Sequence, residues 1–235
     1  MRIKGKDIIP SQIKPANNYV LVKASPSNDT LKLKSGASIY LDTSFEPRKH
    51  SITSGIVEAV PDKIIFDNEY WDQGIRYDTD IEVQPGDKVI FQYLVWGEAV
   101  KEKKYIQHGS DFYLLVKYDM LFAAVRDEKI ISLNGWLIVE PLPEEQSKTT
   151  FFIPENIESK KSMTKGVIRH AGLPNRAYLD FPDDYDDPSH TIGDIILFSK
   201  DKARPLEYEM HALLGRDKNY YRMHRIDILV TEVPA

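Results

Sequence analysis

The chain has 235 residues, 42% hydrophobic and 29% charged, with a formal net charge of −5. That length and composition suit a soluble globular protein of one large or two small domains, and the acidic balance argues against a nucleic-acid-binding surface. Cysteine is absent, which excludes disulfides, thiolate metal sites and cysteine nucleophiles, and fits a reducing, cytoplasmic setting. The opening MRIKGKDIIPSQIKP has no apolar core of signal-peptide length, and nowhere do about 18 apolar residues run together, so no membrane span is expected.

Residues 1–15 read as an N-terminal extension. The first strand signal is YVLVK, residues 19–23, rich in β-branched and aromatic residues. A long polar stretch follows from Lys34 to Gly55, holding one apolar tripeptide, Ile39, Tyr40 and Leu41. Then come a strand signal at 55–60 (GIVEAV) and an irregular aromatic segment at 62–80, with Phe66, Tyr70, Trp71 and Tyr77. VQPGDKVIF leads into a strand at 88–91, and YLLVKYDMLFAAV (113–125), which begins with the strand signal YLLV (113–116), closes the series as a C-terminal strand. Glycine at the P-G-D turn reaches positive φ without steric cost, and the following aspartate can bond nearby amides before the strand begins.

The same succession then repeats. NNYVLVK (17–23) is echoed by NGWLIVE (134–140), SGIVEAV (54–60) by KGVIRHA (165–171), and QPGDKVIF (84–91) by TIGDIILF (191–198). The last run is echoed by YRMHRIDILVTEV (221–233), with Asp119 matched to Asp227. The offsets drift from 117 to 111 to 107 and 108 as loops change length. This is duplication of a module of roughly 100 residues, a common domain size and too long for a solenoid unit. The charged step RDEKIIS (126–132) marks the join, giving modules at 16–128 and 129–235. Each module reads as short strands joined by turns, hence all-β, a small barrel or sandwich.

The ordered set resembles the GroES co-chaperonin family: YVLVK, a long polar loop with IYL, SGIVEAV, VQPGDKVIF, and a closing Y-x-x-x-x-x-D-[MI]-L run, found twice. The resemblance covers nearly all of the chain after Pro15. It implies two tandem GroES-like small β-barrels. It also implies that the loop after the first strand folds on binding a chaperonin ring, seating its apolar tripeptide in a groove on that partner. Ile39, Tyr40 and Leu41 match the tripeptide, and Phe151, Phe152 and Ile153, followed by Pro154, hold the corresponding place in the second module. The chain departs from the family pattern before both tripeptides. Two glycines are usual there, whereas this chain has Gly36-Ala37-Ser38 and Lys148-Thr149-Thr150. The 62–80 segment and the acidic 173–190 segment, with Asp180, Asp183, Asp184, Asp186 and Asp187, match the family's roof hairpin.

On residue types alone, each tripeptide also reads as a short edge strand packed on its own barrel. The roof segments likewise read as solvated surface, and the acidic run lacks EF-hand spacing. No phosphate loop, dinucleotide fingerprint, HExxH or G-x-S-x-G pattern occurs, so no enzymatic activity, cofactor or metal is expected. The expected function is a co-chaperonin, with a GroEL-like chaperonin ring and, indirectly, unfolded substrate protein as partners. The alternative is a GroES-fold scaffold that no longer binds a chaperonin. Oligomerisation is expected either way. A seven-module ring, usual in the family, is not filled evenly by two-module chains, so ring size stays open.

Overall fold

The computed structural model describes residues 9–24, 30–32, 38–40, 51–66, 79–102, 104–143, 163–175, 189–206, 209 and 219–232. Strand is their main regular structure, in antiparallel sheets, with a single α-helix among them. The described residues divide into two compact units, one up to residue 129 and one from residue 130, with Thr79 grouped with the second.

The first unit contains β1 (Tyr19–Ala24), β2 (Thr30–Lys32), β3 (Ser38–Tyr40), β4 (Ser54–Ala59), β5 (Lys88–Phe91), helix α1 (Leu94–Glu102), β6 (Tyr105–His108), β7 (Asp111–Lys117) and β8 (Leu121–Arg126). After β9 (Lys129–Ser132), the second contains β10 (Leu137–Pro141), β11 (Met163–Ala171), β12 (Ile195–Ser199), β13 (Arg204–Pro205), β14 (Tyr221–Met223) and β15 (Ile228–Glu232). The strand orders are β6-β7-β1-β4-β5-β8-β9 and β13-β14-β10-β11-β12-β15. Each echoed pair of segments holds the same place: β1 with β10, β4 with β11, β5 with β12, β7 with β14, β8 with β15. β6 and β13, which share no obvious sequence, also take the same edge.

The correspondence extends to irregularities. β1 shifts register against β4 between Leu21 and Val22, and β10 against β11 between Ile138 and Val139. β5 shifts against β8 between Ile90 and Phe91, and β12 against β15 between Leu197 and Phe198. The pairing register thus breaks at matched places in the two sheets.

The P-G-D and I-G-D turns are built alike. Gly86 and Gly193 have φ of 96° and 101°, a region that a side chain rarely enters. The Asp87 carboxylate accepts from the Gln84 amide at 2.9 Å, and that of Asp194 from the Thr191 amide at 2.7 Å. Gly86 donates to the Val57 carbonyl, and Gly193 to that of Ile168, both at 2.8 Å.

Burial follows the duplication too. Val20, Val22, Val57, Val89, Phe91 and Val116 lie in the first core, and Leu137, Val139, Ile168, Ile196, Phe198 and Met223 hold the matching places in the second. Burying each large apolar side chain contributes about 1.5–3 kcal/mol.

Three sequence expectations need correction. The run 113–125 is not one closing strand. A 3₁₀ turn at Tyr118–Met120 breaks it, so β7 pairs with β1 while β8 pairs with β5, and Arg225–Asp227 breaks the echo likewise. Asp119 does not match Asp227. Ile90 faces Ala123 and Leu197 faces Val230, which fixes this part of the repeat at an offset of 107 and sets Asp119 against Ile226. Finally, α1 lies between β5 and β6 where no helix was expected. It packs on β7, with Ala99 buried and Trp96 edge-on to Phe112 at 6.0 Å.

Candidate functional site

In each unit the chain makes one long excursion from the same place in the sheet. β1 ends at Ala24 and β4 begins at Ser54, yet Ala24 pairs with Gly55. β10 ends at Pro141 and β11 begins at Met163, and Pro141 pairs with Gly166. Both excursions therefore leave and re-enter at adjacent points, and each carries one of the two apolar tripeptides.

Ile39 and Tyr40 fall in β3. This strand does not join the large sheet. It pairs antiparallel with β2 inside the same excursion, as a separate two-stranded ribbon with Thr30 opposite Tyr40, Leu31 opposite Ile39 and Lys32 opposite Ser38. Leu31, opposite Ile39 in register, is an apolar position that the sequence reading did not single out; the short TLK run was its signal. Leu41 lies outside the described residues, as do Phe151, Phe152 and Ile153. The acidic cluster Asp180–Asp187 and Tyr70, Trp71 and Tyr77 also lie outside them.

The bases of the excursions are close-packed. A Cβ on Gly55 would stand 2.5 Å from Val22 Cγ1, and one on Gly166 would stand 2.5 Å from Val139 Cγ1. Glycine at these points lets β4 and β11 approach β1 and β10 closely. Beside them the two units use opposite charges. Lys23 bonds Asp111 at 2.6 Å, and that hydrogen bond raises its pKa against the opposing effect of burial, with the Asp111, Tyr113 and Glu58 charges adding to the rise in that order. In the second unit Glu140 stands where Lys23 does and accepts from Arg169 Nε at 2.6 Å, while Arg169 stands where Glu58 does. The charges at positions Lys23 and Glu58 are thus reversed at Glu140 and Arg169, which bond each other where Lys23 bonds Asp111. Complementarity at the loop base is kept while its polarity is not.

A cleft of about 120 Å³ lies between α1 and β7, with walls that include Tyr19, Val95, Glu98, Leu115, Lys117 and Met120. It is well below the ≈ 300–1,000 Å³ typical of cofactor pockets. Among the described residues, no group of three His, Asp or Glu side chains is placed to hold a metal ion, and no helix is long and apolar enough to cross a membrane.

No known family model matches the chain, and no curated protein matches it.

Proposed function

We propose that the chain is a tandem co-chaperonin of the GroES kind, two small β-barrels in one polypeptide, which caps a chaperonin ring and assists ATP-dependent folding of enclosed protein. The observation that carries this reading is the repeated connection: in two units with the same strand order, a long stretch of sequence joins the same pair of strands and contains one apolar tripeptide. In this reading Ile39, Tyr40 and Leu41 form the first anchor, and Phe151, Phe152 and Ile153 the second. A loop that orders on binding spends part of its contact energy on ordering, so each one holds weakly. Several on one oligomer gain strength through effective concentration, which permits firm capping and release within a nucleotide cycle. ATP hydrolysis belongs to the partner.

The test is light scattering after size exclusion of the chain mixed with a GroEL-type chaperonin and a nucleotide. The reading expects co-elution for the native chain. It expects loss of co-elution when Ile39, Tyr40 and Leu41 are all replaced by serine. Failure of the native chain to co-elute would favour a GroES-fold scaffold without chaperonin binding.

A further inference from the structure

The second unit holds a buried histidine that its counterpart lacks. His224 links β14 to the 3₁₀ turn Arg225–Asp227 and is 1% exposed. Its ring centroid lies 3.7 Å from that of Trp136, tilted by 41°. The Arg222 guanidinium carbon lies 4.3 Å from the same indole. On the other side in sequence, the buried Arg225 donates to the Gly172 carbonyl at 2.7 Å and the Gly135 carbonyl at 3.3 Å. Among the described residues, the charges that bear on the imidazole, Arg222 and Arg225, are both positive. Asp227 is the acid on the turn. Its amide donates to the His224 carbonyl at 3.0 Å, and burial raises its carboxyl pKa against a hydrogen bond from the His224 backbone and the Lys202 charge, which both lower it.

We propose that the His224–Trp136–Arg222 cluster is an acid-sensitive latch, which lets the β14–β15 segment of the second unit open below about pH 6 while the first unit stays closed.

The physical reason is the arrangement of charge. A proton on His224 adds a third cation to a buried site whose aromatic face already carries one. Desolvation and like charge both oppose the charged form, in that order, and hold the imidazole pKa down at about 3. In the opened segment the imidazole regains its ordinary pKa of about 6.5. Protons are then bound by the open state and not by the closed one, so acid favours opening. The first unit has no equivalent group. At an offset of 107, Lys117 replaces His224 and Leu115 replaces Arg222, and at 117 Tyr19 replaces Trp136.

Hydrogen exchange on the full chain at pH 7.5 and pH 5.0, corrected for intrinsic rates, tests the latch. The opening equilibrium of amides in β10, β14 and β15 should rise about 30-fold at pH 5.0, with β1 and β7 unchanged. H224Q should remove the rise. H170Q should keep it, which separates His224 from the half-buried His170, whose pKa burial and Arg169 also lower. An equal rise in both units, no rise in the second, or its removal by H170Q in place of H224Q would overturn the proposal. If H224Q does not fold, the native chain decides by NMR. An imidazole that stays neutral at pH 5 supports the latch, and one that titrates near 6.5 in the folded chain refutes it.

Discussion

Replacing Arg126 by methionine isolates one buried charge pair at the turn that opens β5. The Asp87 side chain is 2% exposed, and its two oxygens accept from Arg126 Nε at 2.9 Å and Nη2 at 2.7 Å. Nη2 also donates to the Glu82 carbonyl at 3.0 Å. Burial pushes the Asp87 carboxyl up. The Arg126 hydrogen bonds, the Gln84 amide and the guanidinium charge together outweigh it and hold the group below its ordinary value. Breaking a fully buried pair costs about 3–5 kcal/mol, but this guanidinium keeps 32% of its side chain in water, so about 2–3 kcal/mol is expected. A depressed carboxyl pKa stabilises the fold above the unfolded value, about 3.9, and that contribution is lost as pH falls through the folded value. The loss in R126M should therefore be full at pH 7 and smaller at pH 3. Exchange of β5 and β8 amides measures it in the first unit alone. A loss under about 0.5 kcal/mol at pH 7 would refute the charge-pair argument, and equal losses at both pH values would assign it to packing of the arginine stem. The second unit supplies the comparison: the offset places Val233 at the arginine position. Asp194 keeps its amide bond to Thr191, so D194N should cost less, about 1 kcal/mol.

Two further substitutions probe the loop bases and the loop itself. G55A and G166A each force a Cβ to within 2.5 Å of a valine methyl, and each should cost its own unit about 1–3 kcal/mol by thermal or urea unfolding. The serine triple at Ile39, Tyr40 and Leu41 should shift the melting temperature by less than about 2 °C, because the ribbon that holds β3 is separate from the large sheet; a larger drop would mean that the tripeptide packs on its own unit.

The duplication was legible because strand runs recur in order, and a Gly-Asp turn tolerates few substitutes at positive φ. The sheet order then followed the repeat, strand for strand. What escaped was short or locally ambiguous. The helix LVWGEAVKE has nine residues and a mid-helix glycine, a cost of about 1 kcal/mol against alanine, and tertiary packing on β7 decides it. The Asp119–Asp227 match was one residue out because an aspartate falls within each 3₁₀ turn, and only strand pairing fixes the register. The reversal of Lys23 and Glu58 as Glu140 and Arg169 was hidden because it becomes visible only when two different offsets, 117 and 111, are applied together. Of the six anchor residues read from the sequence, Ile39 and Tyr40 fall in β3 and the other four lie outside the described residues.

Hydrogen exchange of residues 34–54 in the full chain, alone and with a GroEL-type chaperonin plus nucleotide, tests the co-chaperonin reading most directly. Slowed exchange centred on Ile39 to Leu41 in the complex, with β1 and β4 unchanged, is the expected result. Identical exchange with and without the chaperonin, at concentrations where the chaperonin binds nucleotide, would contradict it.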